Sequence, residues 1–171
     1  METRPGEGTY VSSGSSAFFT KPLELGMFSN ERTLKDIYQA RRVIEVGTVE
    51  LVTELITDDE IDQCSEVLRK MESSTSGEFK VFLDYDYQFH RILAAATRND
   101  IIIQMLKLTR FIIEEERKNA PVSQEKLGKA YSRHKPILEA LRARDKEAAV
   151  RAMANHMDWT QGLLGIENYE E

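Results

Sequence analysis

From about residue 31 to residue 164 the apolar residues recur at helical spacing and never fall into the alternation of a strand. Only nine Gly and four Pro occur in 171 residues, too few to punctuate a turn-dense β architecture. An all-α fold follows, and its helices can be read in order. The first runs from about Asn30 to Leu55. Thr57-Asp58-Asp59-Glu60 has the form of a capping box and opens a second helix to about Met71. A loop at 73–77 leads to a third helix over 78–97, which stops near Asn99, a residue that tolerates a left-handed C-cap. The fourth, 100–118, is apolar on most sides, which marks it as central or as part of a subunit interface. Ser123 caps a fifth helix to Ala143. Pro136 within it predicts a kink, or a fresh start capped by Ser132. Asp145 caps a sixth helix to about Leu164, followed by an acidic tail over 166–171.

The first thirty residues differ. They hold five Gly or Pro before position 23 and a Ser-rich run at 12–16, so 1–11 reads as a short extended piece and 12–30 as a linker.

A net charge of −6 argues against a phosphate-gripping surface, which needs clustered Lys and Arg. The single cysteine, Cys64, excludes a disulfide framework and any multi-cysteine zinc site, and it shares an apolar stripe with Ile61, Leu68 and Met71. No stretch is apolar enough to span a membrane and no signal peptide opens the chain. A cytoplasmic protein without membrane contact is expected.

The informative residues are polar ones set within apolar stripes. Positions three, four and seven apart share a helical face. Asp86 and His90, four apart, lie on a face with Phe79, Phe82, Leu83, Phe89 and Leu93. His134 lies among Leu127, Tyr131, Ile137, Leu138 and Leu141, and His156 among Ala149, Ala152, Met153, Trp159 and Leu163. Each of the three histidines in the chain thus centres a core-facing stripe. A lone core imidazole usually bonds a nearby carbonyl or hydroxyl. A buried carboxylate is costly unless paired or bound to metal. Three imidazoles and one carboxylate also make a shell for a divalent transition ion. Both readings stand on pattern alone, since it does not tell whether the three helices converge.

The first helix has a similar break. Arg41, Glu45 and Thr48 interrupt the face made by Leu34, Ile37, Tyr38, Ile44, Val52 and Leu55. An internal Arg41–Glu45 ion pair is the plainer account. A buried guanidinium awaiting a carboxylate is the alternative. Arg110 shares a charged face with Lys107, Glu114 and Arg117, which reads as a solvated stripe. Nucleophile triads, phosphate loops, zinc-protease motifs and Glu-x-x-His pairs are absent from the sequence. A metal-dependent hydrolase on a helical bundle would need a general base, for which only Glu45 offers itself. A structural helical dimer with a satisfied polar core is the remaining alternative.

The stretches Tyr38-Gln39-Ala40-Arg41-Arg42-Val43-Ile44-Glu45, Asp86-Tyr87-Gln88-Phe89-His90-Arg91 and Ala94-Ala95-Ala96-Thr97-Arg98-Asn99 carry a family resemblance, continued by Arg133-His134-Lys135-Pro136-Ile137-Leu138-Glu139-Ala140 and by Asp145 through His156. Together, over about residues 31–160, they resemble the C-terminal effector-binding (FCD) domain of GntR-family transcription regulators of the FadR subfamily. The departures are Arg98, where the family favours Gly, and Pro136. The resemblance implies an antiparallel bundle of six to seven helices over 31–165 that forms a homodimer. It implies a divalent metal, zinc first with nickel or manganese as alternatives, on Asp86, His90, His134 and His156. It further implies a small carboxylate effector, with Arg41, Glu45, Thr48, Asn99 and Arg110 as candidate contacts. Retention of all four ligand positions argues against the metal-free acyl-CoA type within the family. Residues 2–11 resemble the last wing strand of the winged helix-turn-helix that precedes this domain in GntR regulators. On that reading the chain is a regulatory half, non-enzymatic, reaching operator DNA only through a missing N-terminal domain.

Overall fold

The computed structural model describes residues 2–4, 8–10, 31–77, 79–117 and 123–163, with side chains over 35–77, 79–110 and 123–162. The expected linker and acidic tail lie outside the described residues. Near the N-terminus, β1 (Glu2–Arg4) pairs antiparallel with β2 (Gly8–Tyr10), with Thr3 opposite Thr9. The stretch read as one strand therefore holds two. Pro5-Gly6 between them is a turn signal that the single-strand reading passed over.

Six helices follow among the described residues: α1 (Glu31–Leu55), α2 (Asp58–Ser73), α3 (Phe79–Ala96), α4 (Asp100–Arg117), α5 (Gln124–Arg142) and α6 (Lys146–Leu163). The capping box at α2 is complete: Glu60 N–H donates to Thr57 Oγ1 at 3.3 Å, and Thr57 N–H donates to the Glu60 carboxylate at 2.9 Å. Ser123 and Asp145 cap α5 and α6 by accepting from Lys126 N–H and Ala148 N–H.

Helix α6 packs on α5 and α1, α2 on α3 and α5, and α4 on α1 and α3. One continuous core joins Val49 and Val52 of α1, Cys64 and Met71 of α2, Phe89 and Leu93 of α3, Ile137 and Leu141 of α5, and Met153 and Met157 of α6. Burial pushes the Cys64 thiol up to about 12, as for an inert core residue.

Four expectations need correction. Of the two placements expected for helix α4, the central one fails, since Leu106 is buried while Ile101 and Met105 are 60% and 47% exposed. Being apolar on most sides does not tell which sides find a partner. Leu55, read as core, is also exposed, and Val49 and Ile56 take the buried positions. The left-handed residue after α3 is Arg98 (φ 58°), not Asn99. Asn99 instead caps α4, its Oδ1 accepting from Ile101 N–H at 3.0 Å. Finally, the fresh start at Ser132 does not occur: α5 continues through Pro136, and Ser132 bonds back to Lys129 O. Leu127, Ala130, His134, Ile137, Leu138 and Leu141 are buried on either side of the proline, and their packing offsets its lost hydrogen bond.

Arg144 (φ 54°) ends α5 as Arg98 ends α3. Both arginines reach the start of α2, Arg98 holding Glu60 through two hydrogen bonds and Arg144 holding Asp58 and the Ile56 carbonyl. Two helix corners are thereby tied to the acidic first turn of a third helix.

Candidate metal centre

Helix α3 presents Asp86 and His90 one turn apart, while α5 brings His134 and α6 brings His156. One ligand atom from each of the four lies within 4.8 Å of the others. The three imidazoles are buried, at 0%, 0% and 3% exposure. Their rings crowd together, with centroids 4.2 Å apart for His134 and His156 and 5.2 Å for His90 and His156. Phe89 closes one side, edge-on to His90 and His134.

His90 and His134 each use one nitrogen for support. His90 Nδ1 lies 2.9 Å from Glu45 Oε2, and His134 Nδ1 lies 3.0 Å from the Ala130 carbonyl. Carboxylates and carbonyls only accept, so each ring carries a proton on Nδ1, and the lone pair of the neutral ring is then on Nε2. His90 Nε2, His134 Nε2 and His156 Nδ1 are buried without a hydrogen-bond partner. Asp86 Oδ1 approaches His134 Nε2 to 3.2 Å without the alignment of a hydrogen bond. An orphaned buried polar atom costs about 1–3 kcal/mol. Three such atoms converging on one carboxylate fit a group that binds all of them at once, and the donor set suits a divalent transition metal.

The electrostatics agree. Burial, together with the neighbouring His134 and His90, holds His156 well below the usual histidine range, and the neutral ring is the form that ligates metal. Burial opposes the charge on Asp86, but His134, His90 and Arg41 outweigh it and keep the carboxyl well below its usual range.

A cavity of about 20 Å³ adjoins the cluster, room for about one water molecule. Arg41, Asp86, His156 and Thr160 are its polar lining, and Phe82, Leu83, Leu127 and Trp159 are among its apolar walls. Arg41 is 7% exposed and donates Nε–H to Glu45 Oε1 at 3.1 Å, so the intrahelical ion pair forms and also stands beside the cluster. Glu45 is buried behind Arg41, between it and His90.

The other candidate contacts lie elsewhere. Thr48 is buried one turn further along α1 and does not line the cavity. Asn99 is the exposed cap of α4. Arg110 is not part of a solvated stripe. It turns inward to donate to the Leu83 carbonyl at 2.6 Å and to Asp84, stacking over Tyr87, and so fastens α4 to α3. A charged face on one helix does not reveal what its neighbour offers. Sequence reasoning assigned Phe82 and Trp159 to the core, and their place in the cavity wall had no separate signal. Glu45's bond to His90 was equally unseen.

A helical bundle with its donor cluster and cavity at its centre belongs to the class of buried-site, effector-binding domains. The chain belongs to the FCD domain family, which matches residues 36–158, and is a regulatory domain of GntR-type transcription regulators. It is 22% identical over 169 residues to the HTH-type transcriptional regulator LutR of Bacillus subtilis, covering 96% of this chain and 77% of that protein. It is 27% identical over 189 residues to the Uxu operon transcriptional regulator of Escherichia coli, covering 100% of this chain and 69% of that protein. The fold is that of Streptococcus agalactiae GntR, with TM-score 0.72 and 24% identity over 95% of this chain and 74% of the other. No described helix is long and apolar enough to cross a membrane.

Proposed function

We propose that this domain is the sensing half of a transcription regulator, holding one divalent transition metal on Asp86, His90, His134 and His156 and reading a small carboxylate with Arg41 beside it. The observation that carries the reading is the set of three unpartnered, buried imidazole nitrogens gathered around one carboxylate. Four N/O ligands of this kind make zinc the first choice, with nickel or manganese as alternatives. When bound, the ion would supply a positive charge at the cavity wall for an anionic effector.

Arg41 bonds Glu45 through Nε and makes no other hydrogen bond among the described residues, so its terminal nitrogens are available to a carboxylate. Among the described residues one arginine lines the cavity, and Phe82, Leu83, Leu127 and Trp159 are apolar. A small acid with one carboxylate and a short apolar body suits such walls better than one with many hydroxyls. A cavity of about 20 Å³ requires side chains to yield on binding.

A second copy of the chain is the partner assigned to Val43, Leu51 and Leu55 of α1 and Ile101 and Met105 of α4, all exposed and apolar on two helices that pack together. Operator DNA is reached, in this reading, through a helix-turn-helix domain of the kind that the relatives' names record. The hydrolase alternative is weaker, because both oxygens of Glu45, its candidate base, are already engaged.

Metal analysis joined to native mass spectrometry of protein purified without chelator tests the reading. One ion per chain is expected in the wild type and none in His134→Ala. Wild-type protein free of metal, even after incubation with Zn²⁺, overturns it.

A further inference from the structure

Glu45 is 1% exposed and accepts from two sides. Its Oε1 takes Arg41 Nε–H at 3.1 Å, and its Oε2 faces His90 Nδ1 at 2.9 Å. Of the three imidazoles in the cluster, His90 is the one whose Nδ1 meets a charged group, and that group comes from a different helix. His134 leans on the carbonyl of its own helix, and His156 Nδ1 has no partner. Both neighbours offer an N–H to it, so Glu45 serves as an acceptor at each oxygen.

We propose that Glu45 is a positioning residue for both halves of the site: it fixes His90 with Nε2 open to the metal and, through its other oxygen, holds Arg41 at the cavity wall. Metal capture and anion capture then share one buried carboxylate. The inference rests on the metal reading above.

Substitution Glu45→Gln isolates the effect because the shape is kept while one acceptor becomes a donor. If the amide oxygen stays on Arg41, the NH₂ meets His90 Nδ1 and moves the ring proton to Nε2, where the metal should bind. If the amide oxygen turns to His90, the NH₂ opposes Arg41 Nε–H. Neither rotamer serves both partners.

Zn²⁺ competed against a chelating dye should bind about 10- to 100-fold more weakly to Glu45→Gln than to wild type, the range for loss of a group that orients a metal-bound histidine. Nitrogen-15 NMR of the metal-free wild type supplies a readout that needs neither metal nor variant, with His90 expected as the Nδ1–H tautomer. An Nε2–H tautomer, or equal Zn²⁺ affinity in a folded variant, overturns the role of Glu45. Failure of the wild type to take up Zn²⁺ instead overturns the metal reading, while the tautomer result still reports on Glu45.

Discussion

His90 Nδ1 and Glu45 Oε2 lie 2.9 Å apart across a separation of 45 residues, and this one contact joins α1 to the donor cluster of α3. It explains why the polar break in α1 is buried. Arg41 and Glu45 form an intrahelical pair and are also the flank of a site assembled from α3, α5 and α6.

Arg41 should matter for the anion and not for the metal. Arg41→Met is expected to retain bound Zn²⁺ while losing the rise in melting temperature that short-chain monocarboxylates give the wild type, measured by differential scanning fluorimetry. Arg41→Lys should restore little of that rise, since an ammonium lacks the fork that binds a carboxylate through two hydrogen bonds. A full rise in Arg41→Met would remove the arginine from the effector site.

Acidification should destabilise the metal-free protein, beginning with His156. Its folded-state pKa lies well below the ordinary 6.5, so the unfolded chain takes up the proton first and stability falls as the pH drops below that value. Asp86 and Glu45 act in the same direction at lower pH, because their depressed pKa values give stability that is present above the ordinary carboxylate range and lost as the pH falls through it. Calorimetry in chelator from pH 8 to pH 5 should show a falling transition temperature; a flat profile would contradict a buried neutral His156.

Thr57→Ala removes the reciprocal cap of α2 and should cost about 1 kcal/mol in urea denaturation. Arg98→Gly is expected to be nearly neutral. Glycine relieves a left-handed strain of roughly 1–2 kcal/mol, which offsets the loss of a solvent-screened, exposed ion pair to Glu60. A large loss in Arg98→Gly would mean that the link from α3 to α2 contributes far more than its exposure implies.

Val43→Glu and Met105→Glu alter side chains that are 72% and 47% exposed, so each single chain should keep its fold and its metal. If a second copy covers this surface, both variants should run as monomers in light-scattering chromatography under conditions where the wild type is dimeric. A monomeric wild type at tens of micromolar would exclude that partner.

The helical register of the six described helices was readable except at the end of α1, where Leu55 is exposed, because amphipathic spacing and caps such as Thr57 and Asp145 act within a few residues. The same locality placed His90, His134 and His156 at the centres of their stripes. It did not reveal the exposure of α4, the inward turn of Arg110 or the left-handed Arg98, each of which depends on what a neighbouring helix supplies.

By itself, the sequence determined that the chain is helical and which polar side chains each helix would carry into its core. Only the tertiary structure decided that Asp86, His90, His134 and His156 meet within 4.8 Å, that three ring nitrogens there lack partners, and that Glu45 stands behind one of them. Periodicity sets the direction of a side chain about its own axis. Whether several such directions share one point depends on how the helices cross, and packing of the whole bundle sets that.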